Sequence, residues 1–470
     1  MIARDDLDAA VSDFATRFRS ALDPPALAAA TIDRAELAAR FEETLPEHGM
    51  PLEQILGELE ERSAGGLAGG TGGRYFGYVT GGALPAAVLV EAWTAAVDQN
   101  VGMWPLGPAA VELELVTLRW LAELLAYPGE SGYFGSGATM ANTVALAVAR
   151  NWFGRKHGVD VLEQGVRPLP ELAVYGSTEL HLSDHKALRT LGLGSGCVRA
   201  IPMDESYAMR VDLLSKAIAR DRDAGVQPAI VIAQAGSVNT GACDPLAAIA
   251  DVCAEHDLWL HVDGAFGAFF GLWEPGRSLV AGMERADSLA VDAHKWLNVP
   301  NGVGFVLFKD VALHRETFAG SAGYLTPGAG QNLHELGIEA SRSWRGACVW
   351  AALKHQGRDG IAALVSRCCE LAQELAATVE ASPVLELTAP APTNIVCFRY
   401  RPEGWADGDE LDELNRRIQR DVAADGDVFH TGAQLGSGFS QRAAFVSWRT
   451  TADDVRALVG AIEAAGARLA

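Results

Sequence analysis

Ser288-Leu289-Ala290-Val291-Asp292-Ala293-His294-Lys295-Trp296-Leu297-Asn298 is the stretch on which the fold is read. Residues 288–291 are short and mostly apolar, so they read as a buried strand. The strand delivers Asp292, His294, Lys295 and Trp296 together at its C-terminal end. On an open α/β sheet, such residues leaving a strand end together line the crevice where ligands bind. A lysine there has two readings. It is a solvated loop cation, or it is a partly desolvated amine that forms a Schiff base with an aldehyde. The rest of the chain has to decide.

Working outward, the chain alternates strand and helix patterns. Strands are expected at 173–176, 198–201, 229–234, 258–262, 288–291 and 304–308. Helical patterns, including 113–125, 140–152 and 245–255, lie between most of them or lead into them. That alternation predicts an α/β fold with a mostly parallel sheet covered on both faces. Strands 288–291 and 304–308 are joined only by the Lys295 segment and Asn301-Gly302, so an antiparallel pair is expected to interrupt the sheet. A long helix over 345–381, strands at 394–400 and 443–448, and a helix over 452–468 predict a smaller α+β domain. Residues 1–62 read as helices broken by Pro24-Pro25 and Pro51, with Leu52, Ile55, Leu56 and Leu59 on one amphipathic face. The glycine-rich run 63–73 reads as a flexible connection; no strand precedes it, as a phosphate loop would require. The expected division is an N-terminal helical segment 1–73, a large domain 74–350 and a small C-terminal domain 351–470.

Composition narrows the function. The 470 residues are 49% hydrophobic, enough for a large core and two or three domains. A net charge of −22 argues against nucleic acid and anionic membrane surfaces as partners. The seven cysteines are odd in number and lack zinc-ligand or CxxC spacing, so buried thiols in a reducing compartment are expected. The N-terminus lacks a basic-then-apolar signal pattern, and no run is long enough to span a bilayer. A cytoplasmic enzyme is the expectation.

Three further stretches carry chemistry. Tyr133 to Asn142 is a glycine-rich turn opening a helix, whose free N–H groups, with Ser136 and Thr139, suit a phosphate. An ordinary helix cap is the other reading. Gly135-x-Gly137 lacks the third glycine of a nucleotide fingerprint. Leu258 to Phe266 ends a strand on Asp263, a buried carboxylate that needs a positive partner such as a protonated pyridine nitrogen. Gly264 and Ala265 would let a flat ring lie close, and capping the next helix is the competing role for Asp263. His181 is either a packed histidine or one stacked on a cofactor ring. His185 lies four positions on, but no third ligand is spaced for a metal, so none is expected. Together these make a phosphate cradle, a stacking group, a carboxylate and a Schiff-base lysine, the parts that hold pyridoxal 5'-phosphate (PLP).

At this point the chain resembles the group II pyridoxal-phosphate-dependent amino-acid decarboxylases, the family of aromatic-amino-acid and glutamate decarboxylases. The resemblance runs from about Tyr75 to the C-terminus. It includes Tyr75-Phe76-Gly77-Tyr78, the 136–142 turn, His181-x-Ser183 with Lys186-Ala187, and Ala235-Gly236 followed by Gly241-Ala242-x-Asp244-Pro245. It continues through Asp263-x-Ala265, His294-Lys295-Trp296, Tyr324-Leu325, Trp344-Arg345 and Asn394 to Arg399. It implies a fold-type I PLP enzyme with a central sheet of the seven-stranded type. Lys295 would be the Schiff-base lysine, Asp263 the partner of the ring nitrogen, and His181 and Ala265 the two sides of the ring. Ser136, Gly137, Ala138 and Thr139, with Asp292 and His294 nearby, would hold the phosphate end. Tyr324, on a mobile loop with Gly323, Pro327, Gly328 and Gly330, would be the catalytic acid. Tyr75, Phe76, Tyr78 and Val79 match a segment lining the side-chain pocket, and Arg345 a family arginine. Family members are homodimers with sites at the interface, which Met103-Trp104 would reach.

Two departures bear on the substrate. Ser237 and Val238 stand where the family commonly has two threonines, with Asn239 as the nearest replacement. Ser343 and Cys348 stand where basic residues flank the matching arginine. The expected activity is decarboxylation of an L-amino acid, aromatic or apolar, to amine and carbon dioxide. The alternatives are an oxidative aldehyde synthase, a carbon–carbon lyase or an aminotransferase.

Overall fold

A computed structural model describes residues 4–23, 25, 27–320 and 330–470. In chain order the helices are α1 (Arg4–Ala21), α2 (Arg34–Phe41), α3 (Leu52–Ser63), α4 (Pro85–Val97), α5 (Pro108–Leu124), α6 (Ala138–Lys156), α7 (Val161–Gln164) and α8 (Leu182–Thr190). They continue with α9 (Val211–Asp223), α10 (Leu246–His256), α11 (Ala293–Trp296), α12 (Val311–Phe318), α13 (Gly346–Ala381), α14 (Asp409–Asp425) and α15 (Ala452–Leu469). The strands are β1 (Ser131–Gly135), β2 (Leu172–Ser177), β3 (Val198–Ile201), β4 (Gln227–Gln234), β5 (Trp259–Asp263), β6 (Ser288–Asp292), β7 (Gly304–Phe308), β8 (Leu385–Leu387), β9 (Ile395–Tyr400), β10 (Thr431–Leu435) and β11 (Gly438–Ala444).

Seven strands form the main sheet in the order β1-β7-β6-β5-β4-β2-β3. β7 is antiparallel to both neighbours, and the other six strands run one way. Every residue of β2, β5, β6 and β7 is buried, as a sheet covered on both faces requires. Alternation divides their side chains. Leu289, Val291, Phe305 and Leu307 join one core cluster, and Ala290, Val306 and Phe308 join the other. α6 packs on the second face with Ala141, Val144, Ala145 and Val148, spaced three and four apart. α13 brings Val349, Ala352 and Leu353 to the first face. α13 is two helices joined at Gly357, whose φ of 64° and ψ of 177° are not helical. The expected boundary after residue 350 therefore falls inside its first half.

A second sheet, β10-β11-β9-β8, is wholly antiparallel. α14 buries Leu411, Leu414, Ile418 and Val422 at helical spacing and ends on Gly426, in the left-handed conformation that glycine adopts freely. α15 begins with a capping box made by Thr451 and Asp454. This region differs from the sequence reading. It contains β8, β10 and α14 as well, and β11 ends at Ala444 where a strand over 443–448 was expected. Residues 446–448 leave the sheet because Asn298 claims them: its side chain donates to the Val446 carbonyl at 3.1 Å and accepts from the Trp448 N–H at 3.0 Å. β1 was read as part of a turn, since its Ser-Gly-Tyr-Phe-Gly has no β-branched residue. All seven cysteines are free thiols, five of them buried. Among the described residues no helix is long and apolar enough to cross a membrane.

Candidate active site

Six strands that run one way put their C-terminal ends on one edge, where a crevice forms. The turn after β1, the end of β4, Asp263 on β5 and Asp292 on β6 all reach it. The pairing register does this directly. Gly135, Gly304 and Asp292 lie side by side across β1, β7 and β6. The resulting cavity has a volume of about 300 Å³. It is lined by Ser136, Gly137, Ala138, Thr139, Met140, His181, Ser183, Gln234, Gly236, Val238, Asp263, Ala265, Phe266, Asp292, His294 and Lys295.

One end of the cavity is the N-terminus of α6. Gly137, with φ of 138°, turns the chain so that α6 begins at Ala138. The Ala138 N–H donates to Asp292 Oδ1 at 2.5 Å, a carboxylate on a helix N-terminus. Gly304 must be glycine for this approach, because a Cβ there would sit 2.5 Å from the Gly137 carbonyl carbon. Lys295 Nζ lies 3.1 Å from Asp292 Oδ2 and 5.6 Å from the Phe266 ring centroid. Its side chain is only 18% exposed, so this lysine is no solvated loop cation. His294 Nδ1 is 3.5 Å from Asp292 Oδ1 and 3.2 Å from the Val303 carbonyl.

The other end is built around Asp263. Its Oδ1 accepts the Ala265 N–H at 3.0 Å, and its Oδ2 accepts Asn142 Nδ2 at 2.9 Å. With that amide donating, Asn142 Oδ1 must accept from His261 Nε2, 3.1 Å away. His261 Nδ1 then accepts from Ser288 Oγ at 2.9 Å, and Ser288 accepts from the donor-only indole of Trp259 at 3.0 Å. The network assigns the tautomer: every bond points toward Asp263. Burial pushes the His261 pKa down to about 4, so the ring stays neutral in this chain. Asp263 is buried, and both of these hydrogen-bond partners are neutral. A cationic ring nitrogen would complete its surroundings.

His181, read as either a packed or a ring-stacking histidine, stands just before α8. It is the N-cap of that helix, its Nδ1 accepting the Ser183 N–H. Its side chain is open to the cavity mouth, yet desolvation lowers its pKa, opposed by Asp263 and helped by Lys295. Among the described residues no cluster of three or more metal-ligating groups occurs. Tyr75, Phe76, Tyr78, Val79 and Arg345 do not line the cavity. Tyr75 stacks on Phe429, Phe76 packs against Phe445, Val79 is buried and Tyr78 is 62% exposed. Arg345 pairs with Glu339 at 2.6 Å. Tyr324 lies outside the described residues. Val238 does line the cavity, and Ser237 donates to Glu179 Oε2 at 3.1 Å. Asn239 is not in the lining. The sequence reading overlooked Asn142, His261 and Phe266. The signal for His261 was its place two residues before Asp263, on the same face of β5.

The glycine cradle, the buried lysine and the unpaired carboxylate fit a flat aldehyde with an anionic tail. Comparison with known proteins agrees. A family model described as the pyridoxal-dependent decarboxylase conserved domain matches residues 35–401. The chain is 32% identical over 440 residues to an aromatic-L-amino-acid decarboxylase of Bacillus atrophaeus, covering 92% of this chain and 89% of that relative. It is 27% identical to a phenylacetaldehyde synthase of Arabidopsis thaliana, covering 86% and 83%. The crystal structure of Oryza sativa TDC with PLP superposes with a TM-score of 0.86 at 25% identity, covering 99% of this chain and 98% of that one. The chain belongs to the pyridoxal-dependent decarboxylase family, and is a PLP-dependent carboxy-lyase by that membership.

Proposed function

We propose that this enzyme removes the carboxylate of an L-amino acid with an aromatic or apolar side chain, releasing amine and carbon dioxide. The observation that carries the reading is the meeting of Lys295, Asp263, His181 and the α6 N-terminus around one cavity. The relative named aromatic-L-amino-acid decarboxylase supports the substrate class. When bound, PLP supplies an electron sink for the pair left on the α carbon as carbon dioxide departs. Lys295 Nζ would hold the aldehyde, with Asp292 orienting the amine beforehand. Asp263 would keep a proton on the pyridine nitrogen, since a buried carboxylate favours a cation beside it. His181 and Ala265 would bracket the ring. The N–H groups of Gly137 and Thr139 and the hydroxyls of Ser136 and Thr139 would donate to the phosphate, while the Ala138 N–H is held by Asp292 and His294 stands beside it. Phe266 and Val238, which line the cavity, would keep water from the reacting carbon. Tyr324 is assigned, from the resemblance alone, the proton returned to that carbon.

We also infer a homodimer, supported by the exposed Leu89 and Trp93 of α4 and by the exposed Leu106 and Trp120. A second reading of the chemistry, oxidative aldehyde synthesis, is favoured by the phenylacetaldehyde synthase relative. Product analysis with each of the twenty amino acids separates the two. Amine and carbon dioxide in equal amounts from aromatic or apolar substrates are expected. Aldehyde with ammonia and peroxide would establish the second reading, and release from acidic or basic substrates alone would overturn the substrate class.

A further inference from the structure

We propose that Asp184 is a neutral carboxylic acid that keeps its proton, donates a hydrogen bond to Asp263 and so positions that carboxylate behind the cofactor's pyridine nitrogen. The consequence for the cofactor rests on the reading of Asp263 given above; the location of the proton does not. Asp184 stands in the first turn of α8, just after Ser183, and is 0% exposed. The first turn of α8 packs against Asp263, since Asn142 Nδ2 bonds both Ser183 Oγ at 3.2 Å and Asp263 Oδ2 at 2.9 Å, and the Asp184 carboxyl faces Asp263 from that turn. Among the described residues neither of its oxygens meets a donor.

Two buried carboxyls in contact do not both ionise; they share a proton. The donors decide which one keeps it. Asp263 receives the Ala265 N–H and the Asn142 amide, whose direction is set by the chain running back to Trp259. Asp184 receives no donor from another described residue, its own backbone N–H apart. The charge therefore settles on Asp263 and the proton on Asp184, for which Asp263 is the one acceptor in reach. Burial, and then the charge of Asp263, hold the Asp184 carboxyl well above the usual range. Asp263 lines the cavity and Asp184 does not, so the bond arrives from behind. It gives Asp263 a third donor and leaves its remaining lone pairs toward the cavity. An ionised Asp184 would repel Asp263, and an apolar residue would leave it free to turn. Asp184 is thus a positioning residue.

Infrared difference spectroscopy on the apoprotein tests the proton. The wild type is expected to show a protonated-carboxyl C=O band that is lost in Asp184→Asn and shifted in Asp263→Asn. Absence of the band, or a band unmoved by Asp263→Asn, overturns the pair. PLP titration of the same proteins tests the consequence. Asp184→Asn keeps a donor and is expected to bind with wild-type affinity and absorbance. Asp184→Val keeps similar volume without a donor. It is expected to weaken PLP binding by on the order of tenfold, one hydrogen bond to a charged group, and to shift the bound cofactor's absorbance. Wild-type affinity and absorbance in Asp184→Val overturn the positioning role. Should Asp263→Asn itself bind PLP like the wild type, the reading of Asp263 fails, whatever the infrared band shows.

Discussion

His261, His314 and His430 are each buried, and burial pushes each imidazole from 6.5 down to about 4. In the unfolded chain they take up protons near 6.5; in the folded chain they do so only near 4. Their contribution to stability is therefore present above pH 6.5 and is lost as pH falls from there to 4. A gap of ~2.5 pH units is on the order of 3 kcal/mol for each ring. Asp244 works the other way. Burial raises it to about 6, so its folded form holds a proton that the unfolded form releases, and it costs stability as pH rises through 6. A single-site comparison isolates the histidine effect. His314 bonds Ser131 Oγ through Nδ1 and the Leu336 carbonyl through Nε2, and His314→Gln removes its titration along with those bonds and its ring contacts with Phe308 and Phe318, which add a pH-independent cost. The stability gap between wild type and variant, from urea unfolding of the apoprotein, is expected to shrink by on the order of 3 kcal/mol between pH 7 and pH 4. Parallel pH profiles would contradict the neutral assignment.

Among the elements, β7 does the most for the site although it supplies none of the lining residues. Running against its neighbours, it brings the end of β1 level with the end of β6, and Gly304 is the point of contact. Gly304→Ala would push α6 and its N–H groups away from Asp292. It is expected to lower PLP affinity at least tenfold, roughly the ~1.4 kcal/mol of a modest overpacking strain, while far-UV dichroism stays native. Unchanged affinity would show that the cradle does not depend on this approach. The same elements show what can be read from a sequence. β6 is legible because an apolar run stops abruptly at Asp292, and its antiparallel pairing with β7 follows from the short connection. β1 is not, because its glycines mask an edge strand whose burial comes from β7 and from α5 and α6 packed against it. α14 is mostly charged and shows its apolar face only once it lies on the second sheet. The Asp263 network is illegible for another reason: Asn142 and His261 lie on α6 and β5, and only folding brings their side chains within 3.1 Å. Tyr75, Phe76 and Tyr78 match a motif, and within one chain Tyr75 meets Phe429, Phe76 meets Phe445 and Tyr78 is exposed.

At the scale of the whole molecule, a chain of net charge −22 gathers Lys295, His181 and His294 into one crevice beside Asp263 and Asp292. The C-terminal region takes part through Asn298, which ties residues 446–448 to the turn that carries Lys295. Arg442 adds a second tie, donating to the carbonyls of Val238 at 2.8 Å and Tyr78 at 2.9 Å. Both sheets thus hold the walls of the cavity, and its geometry belongs to the assembled fold. The central claim is that Lys295 is the amine that holds PLP. The most direct measurement is borohydride reduction of the PLP-loaded enzyme, followed by digestion and mass mapping of the pyridoxyl group. One labelled peptide is expected, carrying the group on Lys295, with no label on an otherwise folded Lys295→Ala variant. A pyridoxyl group on Lys186 or any other lysine of the wild type would contradict that claim.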